Sequence, residues 1–319
     1  MLHYGIPAQI WERLIQKHMS KLKSLQFKMN FTVDAANSTG EQLVEEILDT
    51  FRTPFWLDEH QWFVQCDWSP VSKRCYVYTV PYTFENFNID FPIYSKSTSA
   101  PDNHPRLYEH VHRLTYAAAP KYLSKCLTLS HIQFFNIQHI TIELPEHNHF
   151  RLKDQQYDPM TDDYEAKCLN QLQCLLERYS PLTSLDISEW PLAILNMPPC
   201  NAKNISVSEL NLRCHPNNEY YYTRKQCEEF SRSPLGIQCK ILTVDVDNPT
   251  CVRELIINMN NLQVINFRYR RVQQESSQIL AEDNLVQWLR RSTCGASTGI
   301  KNIICRFVTH GNSFFIERS

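Results

Sequence analysis

Apolar residues recur along the chain in one spacing: a first, a second three positions on, and a third two positions after that. The pattern appears as Leu22-Leu25-Phe27, Ile137-Ile140-Ile142, Leu182-Leu185-Ile187, Val207-Leu210-Leu212, Cys239-Leu242-Val244, Leu262-Ile265-Phe267 and Ile300-Ile303-Cys305. Side chains two apart share a face of an extended strand, so the last two members predict a short strand with one buried face. The first member anchors the turn leading into it. The positions between them point the other way. They include Ser24, Gln26, His139, Thr141, Ser184, Asp186, Glu209, Asn211, Ile241, Thr243, Val264 and Asn266.

Helical periodicity lies between several of these strands. Pro7 to Met19 carries Ile10, Trp11, Leu14 and Ile15, with Pro7 suited to a first helical turn. Ser38 to Glu41 reads as a capping box before Leu43, Val44, Ile47 and Leu48. Asp162 or Asp163 opens a helix bearing Leu169, Leu172, Leu175 and Leu176. Thr223 and Gln226 form another box, Asn248-Pro249 precedes Val252, Leu255, Ile256 and Met259, and a last helix holds Leu285, Trp288 and Leu289.

Helix, turn, strand, repeated, is the unit of a leucine-rich repeat. The expected fold is therefore α/β, a leucine-rich-repeat-like solenoid with irregular repeats and an inserted aromatic hairpin. Its expected organisation is a helix–strand–helix over 1–54, the hairpin and a loop over 55–113, and the repeat array over 114–319. The hairpin is predicted from Phe55 to Trp68 and Cys75 to Val80, separated by a turn-rich stretch. Pro92 to Pro105 reads as an exposed loop. Such arrays bind along the strand face, which makes the twelve outward positions the candidate partner surface.

Composition narrows the functional classes. There are 32 basic against 34 acidic residues, a formal net charge of -2, which lacks the basic excess of a nucleic-acid binder. Only six glycines occur in 319 residues, where average usage of about 7 % would give roughly 22. No G-x-G-x-x-G or P-loop spacing is present, so neither phosphate cradle is expected. Twelve cysteines without a C-x-x-C, a start lacking a secretory pattern, and no apolar run long enough for a membrane helix predict a reduced cytoplasmic or nuclear protein.

No constellation carries a mechanism. His110-x-His112, His147-x-His149 and Cys214-His215 lack the second half of a zinc site. Most cysteines, such as Cys174 and Cys305, have apolar neighbours, and no G-x-S-x-G elbow exists. Adjacent carboxylates such as Glu228-Glu229 point apart on a helix. Arg268 to Arg271 and Arg290-Arg291 are the basic clusters; a charged rim is their simplest role, gripping an acidic peptide the alternative. No catalytic activity, cofactor, metal, nucleic acid or membrane partner is expected. The expected partner is a protein.

Three stretches resemble the carboxy-terminal, repeat-bearing half of F-box proteins: CEEFSRSPLGIQCKILTVDVDN (227–248), RTPFWLDEHQWFVQCDW (52–68) and DNLVQWL (283–289). The resemblance implies a substrate-recruiting subunit of a cullin-type ubiquitin ligase, in which the F-box docks on the ligase adaptor and the repeats hold the target. Ile6 to Leu14 imitates an F-box opening, yet the strand predicted at Leu22–Phe27 arrives too soon for the remaining F-box helices. The chain is thus expected to begin inside the array, with the adaptor a partner only of a longer form carrying the F-box. A scaffold or receptor-type repeat protein without a ligase link is the alternative. A cysteine- or histidine-dependent enzyme ranks last.

Overall fold

The computed structural model describes residues 8–32, 40–69, 73–90, 94–98, 107–117, 134–143, 172–179, 181–187, 204, 206–213, 221–269, 303–306 and 313–318. The architecture is mixed α/β with a parallel and an antiparallel sheet. The chain packs as two units, Met1–Ile137 and Gln138–Ser319.

In the first unit, α1 (Ala8–His18), β1 (Lys28–Thr32) and α2 (Gly40–Asp49) lead through a short π-turn at Phe55–Glu59 to the hairpin β2 (Phe63–Ser69) and β3 (Arg74–Val80). β4 (Asn86–Asp90), β5 (Tyr94–Ser97) and β6 (Arg113–Ala117) follow. The expected hairpin forms as the centre of an antiparallel sheet ordered β1-β3-β2-β5, but its first arm starts at Phe63, since Phe55–Glu59 coil into the π-turn. Val64, Cys66, Trp68, Cys75 and Val77 turn one face into a core shared with Leu43, Val44 and Leu48 of α2 and Ile15 of α1. The helix comes so close that a Cβ on Gly40 would lie 1.6 Å from the Trp68 ring. Glycine is required there by the approach itself.

The other face of the hairpin is also buried; β3 supplies it with Tyr76 and Tyr78, whereas β2 supplies the polar Gln65, Asp67 and Ser69. Its one carboxylate, Asp67, is 1 % exposed. It accepts from the Tyr78 hydroxyl at 2.7 Å and the Ser95 hydroxyl at 2.6 Å, and Tyr78 in turn lies 3.1 Å from the Tyr108 hydroxyl. Burial first, then the nearby Asp67 charge, pushes Tyr78 and Tyr108 well above the usual tyrosine range. The same network corrects the loop expected at Pro92–Pro105 over residues 94–98, the remainder lying outside the described residues. β5 runs through that segment and pairs with β2, because the carboxylate draws the Ser95 hydroxyl in and the ladder satisfies the strand backbone.

A second correction concerns Leu22–Phe27, which forms no strand. Its lead-in has the repeat geometry, with Met19 N–H donating to Ile15 O and Leu22 N–H to Met19 O, both at 2.8 Å. Leu175-Tyr179-Leu182 and Leu255-Met259-Leu262 repeat those two bonds at the same spacing. At Phe27, however, the backbone N–H is taken by the Thr79 hydroxyl and the carbonyl by the Thr79 amide, so the chain joins β3 antiparallel from Lys28 onward. Ser24 and Gln26 consequently lie in irregular, exposed backbone rather than on a parallel strand.

The segment read as an insertion and the first residues of the segment read as the array hold two further strands of the apolar spacing. β4 and β6 pair in parallel, with Phe87 opposite Leu114 and Ile89 opposite Tyr116, so Phe84-Phe87-Ile89 and Val111-Leu114-Tyr116 carry the pattern in aromatic form. Phe87, Ile89, Leu114 and Tyr116 are all buried.

The second unit contains β7 (His139–Glu143), α3 (172–178), β8 (Ser184–Asp186), β9 (Glu209–Asn211), α4 (Arg224–Ser231), α5 (Pro234–Gln238), β10 (Ile241–Val246), α6 (Pro249–Asn258), β11 (Val264–Tyr269), β12 (Ile303–Arg306) and β13 (Ser313–Arg318). The Thr223–Gln226 capping box opens α4, and the Asn248 side chain caps α6 with Pro249 in its first turn. β7 to β11 are successive parallel neighbours in flush register, with Ile140, Leu185, Leu210, Leu242 and Ile265 directly opposite one another. Each is at most 1 % exposed. The next layer, Ile142, Ile187, Leu212, Val244 and Phe267, is buried as well.

The register is set at the turns. Gln138 O accepts both Thr183 and Ser184 N–H, and Thr183 O, Ser208 O and Lys240 O each accept the corresponding pair from the next strand. Glu85 O does the same for His112 and Arg113 in the first unit. Side-chain amides reach back in addition: Asn136 to Glu109 O at 2.7 Å, Asn204 to Leu176 O at 2.6 Å and Asn261 to Ile237 O at 2.8 Å. These bonds give partners to carbonyls at the turns and in the preceding helices.

The seventh apolar triplet, Ile300-Ile303-Cys305, does not extend the parallel series. β12 pairs antiparallel with β13, which itself runs antiparallel beside β11. The connection from Arg306 to Ser313 is too short for the crossover that a parallel neighbour requires. The helices expected to start at Asp162 or Asp163 and to hold Leu285, Trp288 and Leu289 have those residues outside the described ones, as does the Ser38 cap.

Two outcomes follow. Leu210→Ala removes a ladder side chain at the centre of the parallel series and is expected to cost about 2–5 kcal/mol in a urea titration; a loss below about 1 kcal/mol would contradict the flush core. Tyr78 and Tyr108 titrate higher folded than unfolded, so their contribution is complete below the unfolded value near pH 10 and is lost as pH rises above it. Stability should fall by about 1.4 kcal/mol per pH unit for each tyrosine there, and Tyr78→Phe should make the slope shallower.

Candidate recognition face

Strand alternation turns every residue between two ladder positions to the opposite side of the sheet. With the register flush, ten of the twelve sequence-predicted positions fall into two straight rows. His139, Ser184, Glu209, Ile241 and Val264 form the first; Thr141, Asp186, Asn211, Thr243 and Asn266 form the second. Glu209 is exposed and Ser184 is the most enclosed, with the others half-buried. Ser24 and Gln26 do not join these rows; Gln26 instead accepts from the Thr83 hydroxyl.

Neighbours in the rows hold one another. The His139 Nδ1 lies 2.8 Å from the Ser184 hydroxyl and its Nε2 lies 3.1 Å from that of Thr141. Asn211 donates to Asp186 Oδ2 at 2.9 Å, and Asn266 to the Thr243 hydroxyl at 3.3 Å. A neutral imidazole between two hydroxyls donates through one nitrogen and accepts through the other. The Ser184–His139 pair is thus part of a side-chain ladder, and its serine is only 8 % exposed. What the face offers is a rigid arrangement of amides, hydroxyls and carboxylates with two aliphatic positions, Ile241 and Val264.

A third row was missed by the sequence. Two positions beyond Asn211, Thr243 and Asn266 stand Arg213, Asp245 and Arg268. Asp245, 2 % exposed, accepts Arg268 Nε at 2.7 Å and a second bond from Arg268 Nη2, while Arg213 Nε lies 3.4 Å away. Burial lowers the Arg213 pKa; Asp245 opposes the shift and the second guanidinium adds to it. Arg268 had been singled out only as one of a run of basic residues. The signal that would have found its companions is the register itself, which sequence spacing does not state.

The remaining candidates are distributed without convergence. His112 Nδ1 lies 3.1 Å from Asn136 O, and His110 is exposed beside Glu109. Among the described residues no group of three or more His, Cys, Asp and Glu is placed to hold a metal. His147, His149, Cys214 and His215 lie outside the described residues. Cys66 and Cys75 face each other at 3.4 Å inside the hairpin sheet. Their contact, with burial, pushes the Cys66 thiol up, and the Cys251 thiol with burial does the same to Cys227. Burial brings Cys239 to about 12; Cys251 alone moves down, through its bond with Cys227, and it is fully buried. None of these five presents an accessible thiolate, whereas Cys174, whose apolar neighbours suggest a core side chain, is exposed. No described helix is long and apolar enough to cross a membrane.

No protein-family model matches the chain, and no curated protein matches it.

Asp245 holds the third row together, so its charge is the one whose loss matters most. Asp245→Asn leaves two half-buried guanidiniums facing an uncharged amide and is expected to destabilise the fold by about 3–5 kcal/mol. Chemical denaturation of the purified variant measures it, and a change within about 0.5 kcal/mol, the level of an ordinary surface substitution, would show that the pair is not structural.

Proposed function

We propose that this chain is a non-catalytic protein-recognition module of leucine-rich-repeat type, a curved solenoid whose polar sheet face holds a protein partner. The observation that supports it is the division of labour across the parallel sheet. One face is an unbroken aliphatic ladder, and the other carries ten positions in two flush rows that the core does not need. A sheet face fixed by cross-strand hydrogen bonds is preorganised, which lowers the ordering cost of binding. Stacked repeats present such a face as a continuous surface.

The family resemblance suggests the setting: recruitment of a target for ubiquitin transfer, with the ligase adaptor bound by an F-box in a longer form. A scaffold without a ligase link uses the same face, and the identity of the captured proteins separates the two.

A photo-cross-linking residue placed at Glu209 or at Ile241 is expected to capture a protein from native cell extract, while the same residue at Lys225 on α4 captures none. Mass spectrometry of the adducts reads both questions. Equal capture from the helix and sheet positions would remove the proposed face, and recovery of a ligase adaptor with a cullin would support the recruiting role.

A further inference from the structure

In the third row of the sheet face two guanidiniums, Arg213 and Arg268, meet at the carboxylate of Asp245, and Arg268 holds it, so Arg213 has no carboxylate of its own among the described residues. Asp245 is used up by the arrangement: Arg268 grips both of its oxygens, and Arg213 reaches only Oδ1 from 3.4 Å. The Arg213 N–H at this position makes no hydrogen bond of normal geometry although it is shielded from solvent. The charged groups that act on Arg213 are Asp245, which stabilises it, and Arg268, which repels it. Holding a second cation half-buried against a first is unfavourable unless a further anion joins them. Both side chains remain partly open, 29 % for Arg213 and 24 % for Arg268.

We propose that Arg213, beside the Asp245–Arg268 pair, forms a carboxylate-binding site on the sheet face, taking an Asp or Glu side chain of the bound protein. The inference rests on the recognition reading above. One guanidinium without an anion of its own favours a carboxylate, with one negative charge, over a phosphate monoester, which carries about 1.5 to 2 at neutral pH. A guanidinium fork also matches the two oxygens of a carboxylate. Glu209 lies in the first row, four residues before Arg213, so an acidic partner residue is steered toward the arginine end of the surface and away from the opposite end.

Fluorescence anisotropy with the full chain tests it, using a labelled decamer of glutamate and, as control, a decamer of glutamine at low salt. Saturable binding of the glutamate decamer alone is expected, weakened roughly tenfold or more by Arg213→Gln. The same variant should melt no lower than the wild type without peptide, since removing Arg213 relieves the repulsion and leaves the Asp245–Arg268 pair in place. No binding by the wild type, undiminished binding by Arg213→Gln, or a clearly lowered melting temperature for that variant would overturn the site. So would displacement of the decamer by millimolar inorganic phosphate at constant ionic strength. The two readings fail separately: loss of sheet-face cross-linking with the decamer still bound removes the recognition surface, and the converse removes only the carboxylate site.

Discussion

The described core of the second unit depends on the flush register of five parallel strands. Because Ile140, Leu185, Leu210, Leu242 and Ile265 stand directly opposite one another, their side chains stack into one aliphatic ladder with no stagger. Burying each contributes about 1.5–3 kcal/mol relative to exposure, and a slip of one residue would turn the whole set to the other face. The polar rows are the unavoidable counterpart of that ladder. A sequence that secures the one has also aligned the other.

The turns enforce this register more than the strands do. Strands of three residues such as β8 and β9 make few ladder bonds of their own. A carbonyl that accepts two successive amides of the following strand, repeated at Gln138, Thr183, Ser208 and Lys240, fixes the starting point of each. Side-chain amides at Asn204 and Asn261 then tie a turn to a carbonyl of an earlier helix, α3 and α5 respectively. The same carbonyl geometry at Glu85 shows that β4 and β6 obey the rule in the first unit.

Legibility in the sequence followed locality. Spacing alone was sufficient for the five ladder residues and the ten positions between them, because alternation is a local property. It failed where a distant group decided the outcome. Leu22–Phe27 has the spacing and the preceding turn, but Thr79, 52 residues on, takes the Phe27 backbone and diverts it to the antiparallel sheet. β5 was hidden by its polar composition, which makes sense only beside the buried Asp67. β4 and β6 were hidden by aromatic residues at ladder positions, where Phe87 and Tyr116 stand for the usual aliphatic ones. The Arg213–Asp245–Arg268 row joins residues 32 and 23 positions apart and exists only once the register is known.

The central claim is that neighbouring residues of one strand have opposite duties, and a lysine scan across β9 tests it most directly. Lysine is substituted in turn at Glu209, Leu210, Asn211 and Leu212, and each variant is read for melting temperature and for capture of the partner from extract. The account predicts alternation: the Leu210 and Leu212 variants melt far below the wild type, whereas those at Glu209 and Asn211 melt as the wild type does and lose the partner. Four variants that keep the partner, or a loss of folding that ignores the alternation, would contradict it.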